Sequence, residues 1–421
     1  MAEWPCEVIM NQRVVITGLG AVSPLGSTVN DLWNGIKTAQ CGIGPITAFD
    51  TTDYKTKLAA EVKPFDMEAY FSARELKFND RFTQFARIAA KQAIADSGLE
   101  GQVSDPTKYG VIIGSGIGGL ASLESAVTNL KERGPSRISP FFIPMTLINL
   151  AAGQVAIDAK AQGHCSAVVT ACAAGTNAIG EAFHKIRSGQ QDVMLAGGSE
   201  AAITPLGIAG FMVMRALHEG SDPLRASIPF DAQRSGFVMG EGAAVVVLES
   251  LEHALARKAP ILAEMVGYGT SCDANHITAP LEDGAMGAHA MALAIADAGL
   301  APNDIDYINA HGTSTPLNDK TETLAVKKVF GSTTKVPVSS TKSSTGHLLG
   351  ASGAVEAVIC VKALQEGLIP ATIGYAESDP LCDLDIVPTT PRKANLKVVM
   401  SNSLGFGGHN ASIVLRKWEG Q

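Results

Sequence analysis

Cys172 stands in Thr170-Ala-Cys-Ala-Ala-Gly-Thr176, where a β-branched run gives way to small residues and then to a helical pattern. A thiol at such a strand-to-helix junction faces the positive end of the helix dipole and free backbone N–H groups. Both are expected to lower its pKa below the free value of about 8.5 and raise the thiolate fraction. An isolated cysteine is more often a small buried hydrophobe, and Cys6, Cys41, Cys165, Cys272, Cys360 and Cys382 are read that way. Around Cys172 the chain offers more. Ile308-Asn-Ala-His311-Gly-Thr-Ser-Thr-Pro316 and Ser340-Thr-Lys342-Ser-Ser-Thr-Gly-His347 each set a histidine past an apolar run, among small residues. Ligands of α/β sheets gather beyond the carboxyl ends of strands, so three such positions can converge although they are distant in sequence. A thiol with two imidazoles is equipment for nucleophilic catalysis.

Positioning these groups calls for strands that end together. Short β-branched runs recur at 13–17, 109–113, 167–170, 192–195, 243–248, 261–266, 305–309, 336–339 and 397–400, with helical spacing at 82–97, 176–188, 285–298 and 353–365. Alternating strand and helix implies mostly parallel sheets covered by helices, an α/β class. The chain also echoes itself. The run at 166–175 resembles that at 336–347, and the glycine-rich run at 236–248 resembles that at 405–415, so two related halves, 1–259 and 260–421, are expected to pack into one body.

Other motifs are weaker. Gly114-Ser-Gly-Ile-Gly-Gly119 satisfies G-x-G-x-x-G, but no second strand ending in an acid follows, so nucleotide binding is not expected. No G-x-x-x-x-G-K-[S/T] or G-x-S-x-G occurs, which removes the main supports for kinase, ATPase and serine-esterase readings. The histidines form no H-E-x-x-H cluster, so no metal is expected; His409, beside the last glycine loop, stays ambiguous. Among 421 residues, 46% are hydrophobic and 18% charged, the balance of a globular protein. A formal net charge of −8 disfavours nucleic acid and anionic membrane as partners. Seven widely spaced cysteines without a C-x-x-C pair point to a reducing cytoplasm. No signal peptide or membrane-spanning run is read.

The segments around Cys172, His311, Lys342 to His347 and Ser401-Asn-Ser-Leu-Gly-Phe-Gly-Gly-His-Asn410 resemble the β-ketoacyl-acyl-carrier-protein synthases, condensing enzymes of the thiolase superfamily. The similarity runs from Arg13 to Lys417, and the Gly114 and Thr341-to-Gly350 motifs resemble the elongating synthase II type. Leu404 stands where phenylalanine is more usual and Ser344 where a larger residue is common, which bears on acyl-chain preference.

The resemblance implies a five-layered αβαβα fold and a decarboxylative condensation through acyl-Cys172. His311 and His347 would stabilise the enolate, Lys342 would support the histidines, and the amides of Cys172 and Phe406 would hold the oxyanion. Phe406, flanked by glycines, would gate the acyl pocket. Ile117 and Phe211 would line that pocket, and Thr313 and Thr315 would bind the phosphopantetheine arm. Asp319 and Glu356 would be structural acids, Glu356 joining Ser401 and Asn402 at a monovalent cation in some members. Arg74, Lys77, Arg81 and Arg137 would meet an acidic acyl carrier protein, and the chain would form a homodimer. No cofactor is implied beyond the phosphopantetheine that the carrier brings. A thiolase would need a second cysteine where Gly405-Phe-Gly-Gly-His stands, and a non-catalytic chain-length factor would lack Cys172. A polyketide ketosynthase would share nearly all these motifs.

Overall fold

The computed structural model describes residues 11–420; Cys6 lies outside them. Ten principal strands are β1 (Val14–Val22), β2 (Tyr109–Gly114), β3 (Cys165–Val168), β4 (Val193–Glu200), β5 (Gly242–Ser250), β6 (Ala263–Cys272), β7 (Tyr307–Asn309), β8 (Pro337–Ser339), β9 (Val398–Gly405) and β10 (His409–Lys417). They lie in the order β3-β2-β4-β5-β1-β6-β10-β9-β7-β8, with the two-residue strand Asp385–Ile386 beyond β8.

The order repeats on either side of the β1–β6 junction. In the first five strands β3, β2 and β4 run parallel, while β5 and β1 alternate in direction. The second five do the same, with β8, β7 and β9 parallel and β10 and β6 alternating. The two sets meet through only three residue pairs, Val14–Met265, Val15–Glu264 and Ile16–Ala263. The segments that echo one another in sequence occupy matching places, β3 with β8 and β5 with β10.

Six helices cover these strands: α1 (Arg81–Ser97), α2 (Asn149–Ala159), α3 (Ala174–Arg187), α4 (Ala285–Asp297), α5 (Pro316–Phe330) and α6 (Ser352–Glu366). α1 and α2 cover the first set from outside, α4 covers the second, and α5 packs on α4. α3 and α6 each touch strands of both sets, so the two half-sheets face each other across this central helical layer. That is the expected five-layered arrangement. The central position explains why α6 is buried on nearly every side, from Ser352 to Leu364, where an outer helix would keep a polar face.

Three local differences matter for the site. The third strand ends at Val168 rather than at Thr170, because after Val168 the chain leaves the ladder and the Thr170 hydroxyl turns to accept from Asn177 Nδ2 at 2.7 Å. The helix after Cys172 begins at Ala174, preceded by a 3-10 turn over Ala171–Ala173. β10, whose sequence was seen only as an echo, is a full strand pairing β6 and β9.

Candidate active site

Cys172 occupies the 3-10 turn between β3 and α3, just after Ala171, whose φ of 48° puts a non-glycine residue in the left-handed region. The amides of Phe406 and of Cys172 itself are directed at its sulfur. Gly405 is pressed onto the same turn: a Cβ there would lie 2.8 Å from Thr170 O and 3.2 Å from Cys172 N, so glycine alone fits. The thiol is where the sequence placed it, but its ionisation is the reverse of the expectation. Burial pushes the Cys172 pKa up to about 12, and the opposing pull of Lys342 and of the two amides is too small to offset it.

His311 follows β7. Glu322 of α5 accepts its N–H at 2.8 Å and that of Gly312 at 2.7 Å, pinning the turn that carries the imidazole. His347 follows the short helix Lys342–Thr345, and its ring stands nearly perpendicular to that of His311 with centroids 5.2 Å apart. The Cys172 sulfur and one nitrogen of each ring lie within 4.8 Å of one another. Burial first, and then the charge of Lys342, hold both imidazoles well below their ordinary pKa; for His311 the neighbouring His347 adds to this.

The Nδ1 of His347 accepts the Leu349 N–H at 3.3 Å and lies 2.9 Å from the Ser352 hydroxyl. A neutral ring accepting at Nδ1 carries its proton on Nε2, so His347 offers the cavity an N–H. A metal-binding histidine would donate from its second nitrogen. This arrangement therefore suits a hydrogen-bond donor to a developing oxyanion better than a metal ligand.

Lys342 and Glu356 form a buried ion pair behind the histidines, with side chains 1% and 3% exposed. The second carboxylate oxygen of Glu356, Asn309 Oδ1 and Ser401 Oγ are buried without a partner among the described residues. Three oxygens left open on adjoining elements suit an oxygen-liganded cation. Asn309 was not among the residues expected there; Asn402 Oδ1 accepts from Ser412 at 2.8 Å and keeps a second lone pair. Asp319 is fully buried and accepts from Phe230 N at 2.8 Å, beside Arg234.

A cavity of about 400 Å³ opens over Cys172, His311 and His347. Phe406, Phe211, Thr313 and Thr315 line it. The two threonine hydroxyls lie 2.9 Å apart, and the Phe211 and Phe406 rings 6.3 Å. Ile117 does not line this cavity; it packs in the apolar cluster that holds Cys172, Leu349 and Phe211. Arg74, Lys77 and Arg137 are exposed, the first two flanking the Phe78 ring. Arg81 is exposed as well, its side chain 43% accessible, while its guanidinium binds the buried Glu241 at 2.6 Å. His409 pairs with Cys272 in the ladder, outside the cavity lining.

Among the buried acids that the sequence reading did not name, Glu322 and Glu200 hold loops of this site. Glu200 explains why the Gly114–Gly119 motif is no nucleotide cradle: the amides of Gly116, Ile117 and Gly118 are already directed at its carboxylate. The loop carries its own internal anion. Neither acid stands in a recognisable motif, and an isolated glutamate gives no sequence signal of this kind.

Residues 11–254 match the beta-ketoacyl synthase N-terminal domain and residues 262–376 its C-terminal domain. The chain belongs to the beta-ketoacyl synthase family. Among curated relatives of this ketosynthase, 3-oxoacyl-[acyl-carrier-protein] synthase 2 of Synechocystis sp. is 51% identical over 97% of the chain and 99% of the relative. The protein of the same name from Staphylococcus aureus (strain COL) is 50% identical with the same coverage. Among solved ketosynthase structures, a type II PKS acyl-carrier protein in complex with its ketosynthase, AntDE:AntF, superposes with a TM-score of 0.90 at 34% identity, covering 97% of this chain and all of that one. A beta-ketoacyl synthase from Burkholderia phymatum gives 0.90 at 35% identity, again over 97% and 100% of the two chains.

Proposed function

We propose that this ketosynthase is a 3-oxoacyl-[acyl-carrier-protein] synthase of the type 2 class, elongating fatty-acyl chains by two carbons. The observation that carries the reading is the thiol of Cys172 under two amides, within 4.8 Å of two imidazoles held neutral. The near 50% identity to synthases of that name over almost the full chain supports the substrate class.

In the first step the Cys172 sulfur attacks the acyl thioester. A C–S bond forms, the carrier thiolate leaves, and the Cys172 proton goes to it, so no external base is consumed. With the cysteine acylated, a malonyl thioester binds along Thr313 and Thr315. Its C–C bond breaks to release CO2, and the electron pair becomes an enolate whose oxygen is held by N–H groups of His311 and His347. The enolate carbon then attacks the acyl carbonyl. Its oxyanion rests on the amides of Cys172 and Phe406 until the Cys172 thiolate is expelled and takes one proton from solvent. A neutral imidazole suits this work, since an imidazolium would give its proton to the enolate carbon and divert it to the acetyl thioester.

Lys342 holds the field around the histidines, and Glu356 pairs with it in the interior. Where a monovalent cation binds, Glu356, Asn309 and Ser401 would hold it, and its charge would brace the turn behind the histidines. The carrier protein would approach the cavity mouth past Arg74, Lys77 and Arg137, with Arg81 shaping that surface through Glu241. The repeated strand order supports the division into halves 1–259 and 260–421. A homodimer is supported by the open edge of β3 and by the neighbouring helix Leu120–Arg133, which has no buried residue and exposes Leu123, Val127 and Leu130. The unpaired cysteines Cys41, Cys165, Cys272, Cys360 and Cys382 suit a reducing cytoplasm. Among the described residues no helix is long and apolar enough to cross a membrane.

The likeness to polyketide ketosynthase structures favours a second reading, repeated condensation without reduction. Incubation with acyl- and malonyl-carrier protein separates the two. A single two-carbon extension to a 3-oxoacyl carrier supports the first reading, and a ladder of poly-oxo products supports the second.

A further inference from the structure

The Gly114–Gly119 loop and the turn after His347 belong to opposite halves of the chain, yet one carboxylate holds both. Glu200, at the end of β4, is 0% exposed. Its Oε1 accepts from Ser115 Oγ at 2.9 Å, Ile117 N at 3.1 Å and Gly118 N at 3.2 Å. Its Oε2 accepts from Gly116 N at 2.7 Å and from Gly350 N at 3.0 Å. Four amides and a hydroxyl converging on one carboxylate leave it no further role as an acid or base.

Both loops that it ties reach the reacting groups. Ile117 packs in the cluster with Cys172 and Leu349, which an acyl chain on Cys172 has to part. Leu349 is the residue whose N–H sets the His347 tautomer, and its φ is 48°. Gly350 follows it directly and is wedged in place: a Cβ there would lie 2.4 Å from Gly116 N and 2.8 Å from Glu200 Oε2. With Gly350 N fixed on Glu200, the adjoining Leu349 peptide cannot swing away from His347 when the cluster opens.

We propose that Glu200 is a positioning residue that braces the Leu349–Gly350 turn against the Ile117 loop, so that His347 keeps its Nε2 proton while the acyl chain occupies the cluster beside Cys172. The benefit to catalysis rests on the condensing reading above; the brace itself does not. Glu200→Gln keeps the volume but turns one acceptor into a donor facing amide donors.

The test is 15N NMR of histidine-labelled protein, which distinguishes the two neutral tautomers without substrate, alongside separate rates of Cys172 acylation by an acetyl carrier and of malonyl decarboxylation. In Glu200→Gln the His347 signal moves away from the Nε2-protonated form. Decarboxylation falls about tenfold or more while acylation changes less than about threefold. Gly350→Ala, which prises the turn off an intact Glu200, gives the same pattern and serves if Glu200→Gln does not fold. An unaltered His347 tautomer with an unaltered ratio of the two rates, in either folded variant, would overturn the proposal. Failure of the wild type to be acylated at all would instead count against the condensing reading.

Discussion

Lys342 Nζ donates to Glu356 Oε1 in the interior of the protein, directly behind the two imidazoles. Burying both charges is costly, and their mutual attraction offsets that cost only while both are present. Lys342→Met and Glu356→Gln should each lower stability by about 3–5 kcal/mol, because each strands its partner. The double variant should recover most of that loss while remaining inactive. Urea unfolding at fixed protein concentration measures this; additive losses in the double variant would show that the two residues are not acting as a pair.

The pH dependence follows from the imidazoles. Their folded pKa values lie well below the ordinary histidine value of about 6.5, so both stay neutral as pH falls through that value. Malonyl decarboxylation by Cys172→Ala, which removes the thiol titration, should therefore stay flat from about pH 8 to about pH 6. Burial also raises Glu322, on the His311 turn, and Glu356, on Lys342, to about 7, so an acid limb near 6.5 that persists in Glu322→Gln and in Glu356→Gln would mean that at least one imidazole titrates normally. His347→Ala should reduce the same rate by about 10²–10³-fold, the usual cost of one oxyanion donor.

Phe406 lines the same cavity as Cys172, a thiol whose pKa burial has raised to about 12. If the ring gates this cavity, removing it should hydrate the sulfur and bring that value down. Phe406→Ala should then be alkylated by iodoacetamide at pH 8 at least about tenfold faster than the wild type, the rate following the thiolate fraction. Equal rates would show that the ring does not control access of water.

Gly405→Ala drives a Cβ to 2.8 Å from Thr170 O, on the turn that carries the nucleophile. The loop that carries Gly405 has to retreat, taking the Phe406 amide away from Cys172. Acylation should fall by about 10²-fold, the scale of one lost oxyanion contact, with a melting temperature shifted only a few degrees. A large loss of stability with normal turnover per folded molecule would contradict this.

The parts of this molecule that were legible in sequence are those where local chemistry and position coincide. Cys172, His311 and His347 each follow an apolar run, and strand ends bring such residues together. The paired echoes at β3 with β8 and β5 with β10 were readable because the halves share a strand order. The sign of the Cys172 pKa shift was not readable, since the burial that raises it comes from residues distant in sequence, Phe237, Met239 and Leu349 among them, packing around the thiol. Glu200 and Glu322 were equally hidden. A lone glutamate resembles any surface acid until the fold brings backbone amides around it, and the same folding turned an apparent phosphate loop into a brace. The pairing of Arg81 with Glu241 was hidden for a similar reason, as the two sit 160 positions apart in sequence and only the folded chain brings them together.

The most direct test of the account is intact-mass spectrometry of the wild type and Cys172→Ala after mixing with a medium-chain acyl carrier protein, followed by malonyl carrier protein. The wild type alone should gain the acyl mass, then lose it as a 3-oxoacyl carrier two carbons longer forms. Absence of any Cys172-dependent adduct, with a folded protein and a competent acyl carrier, would contradict the account and point to a non-catalytic partner subunit.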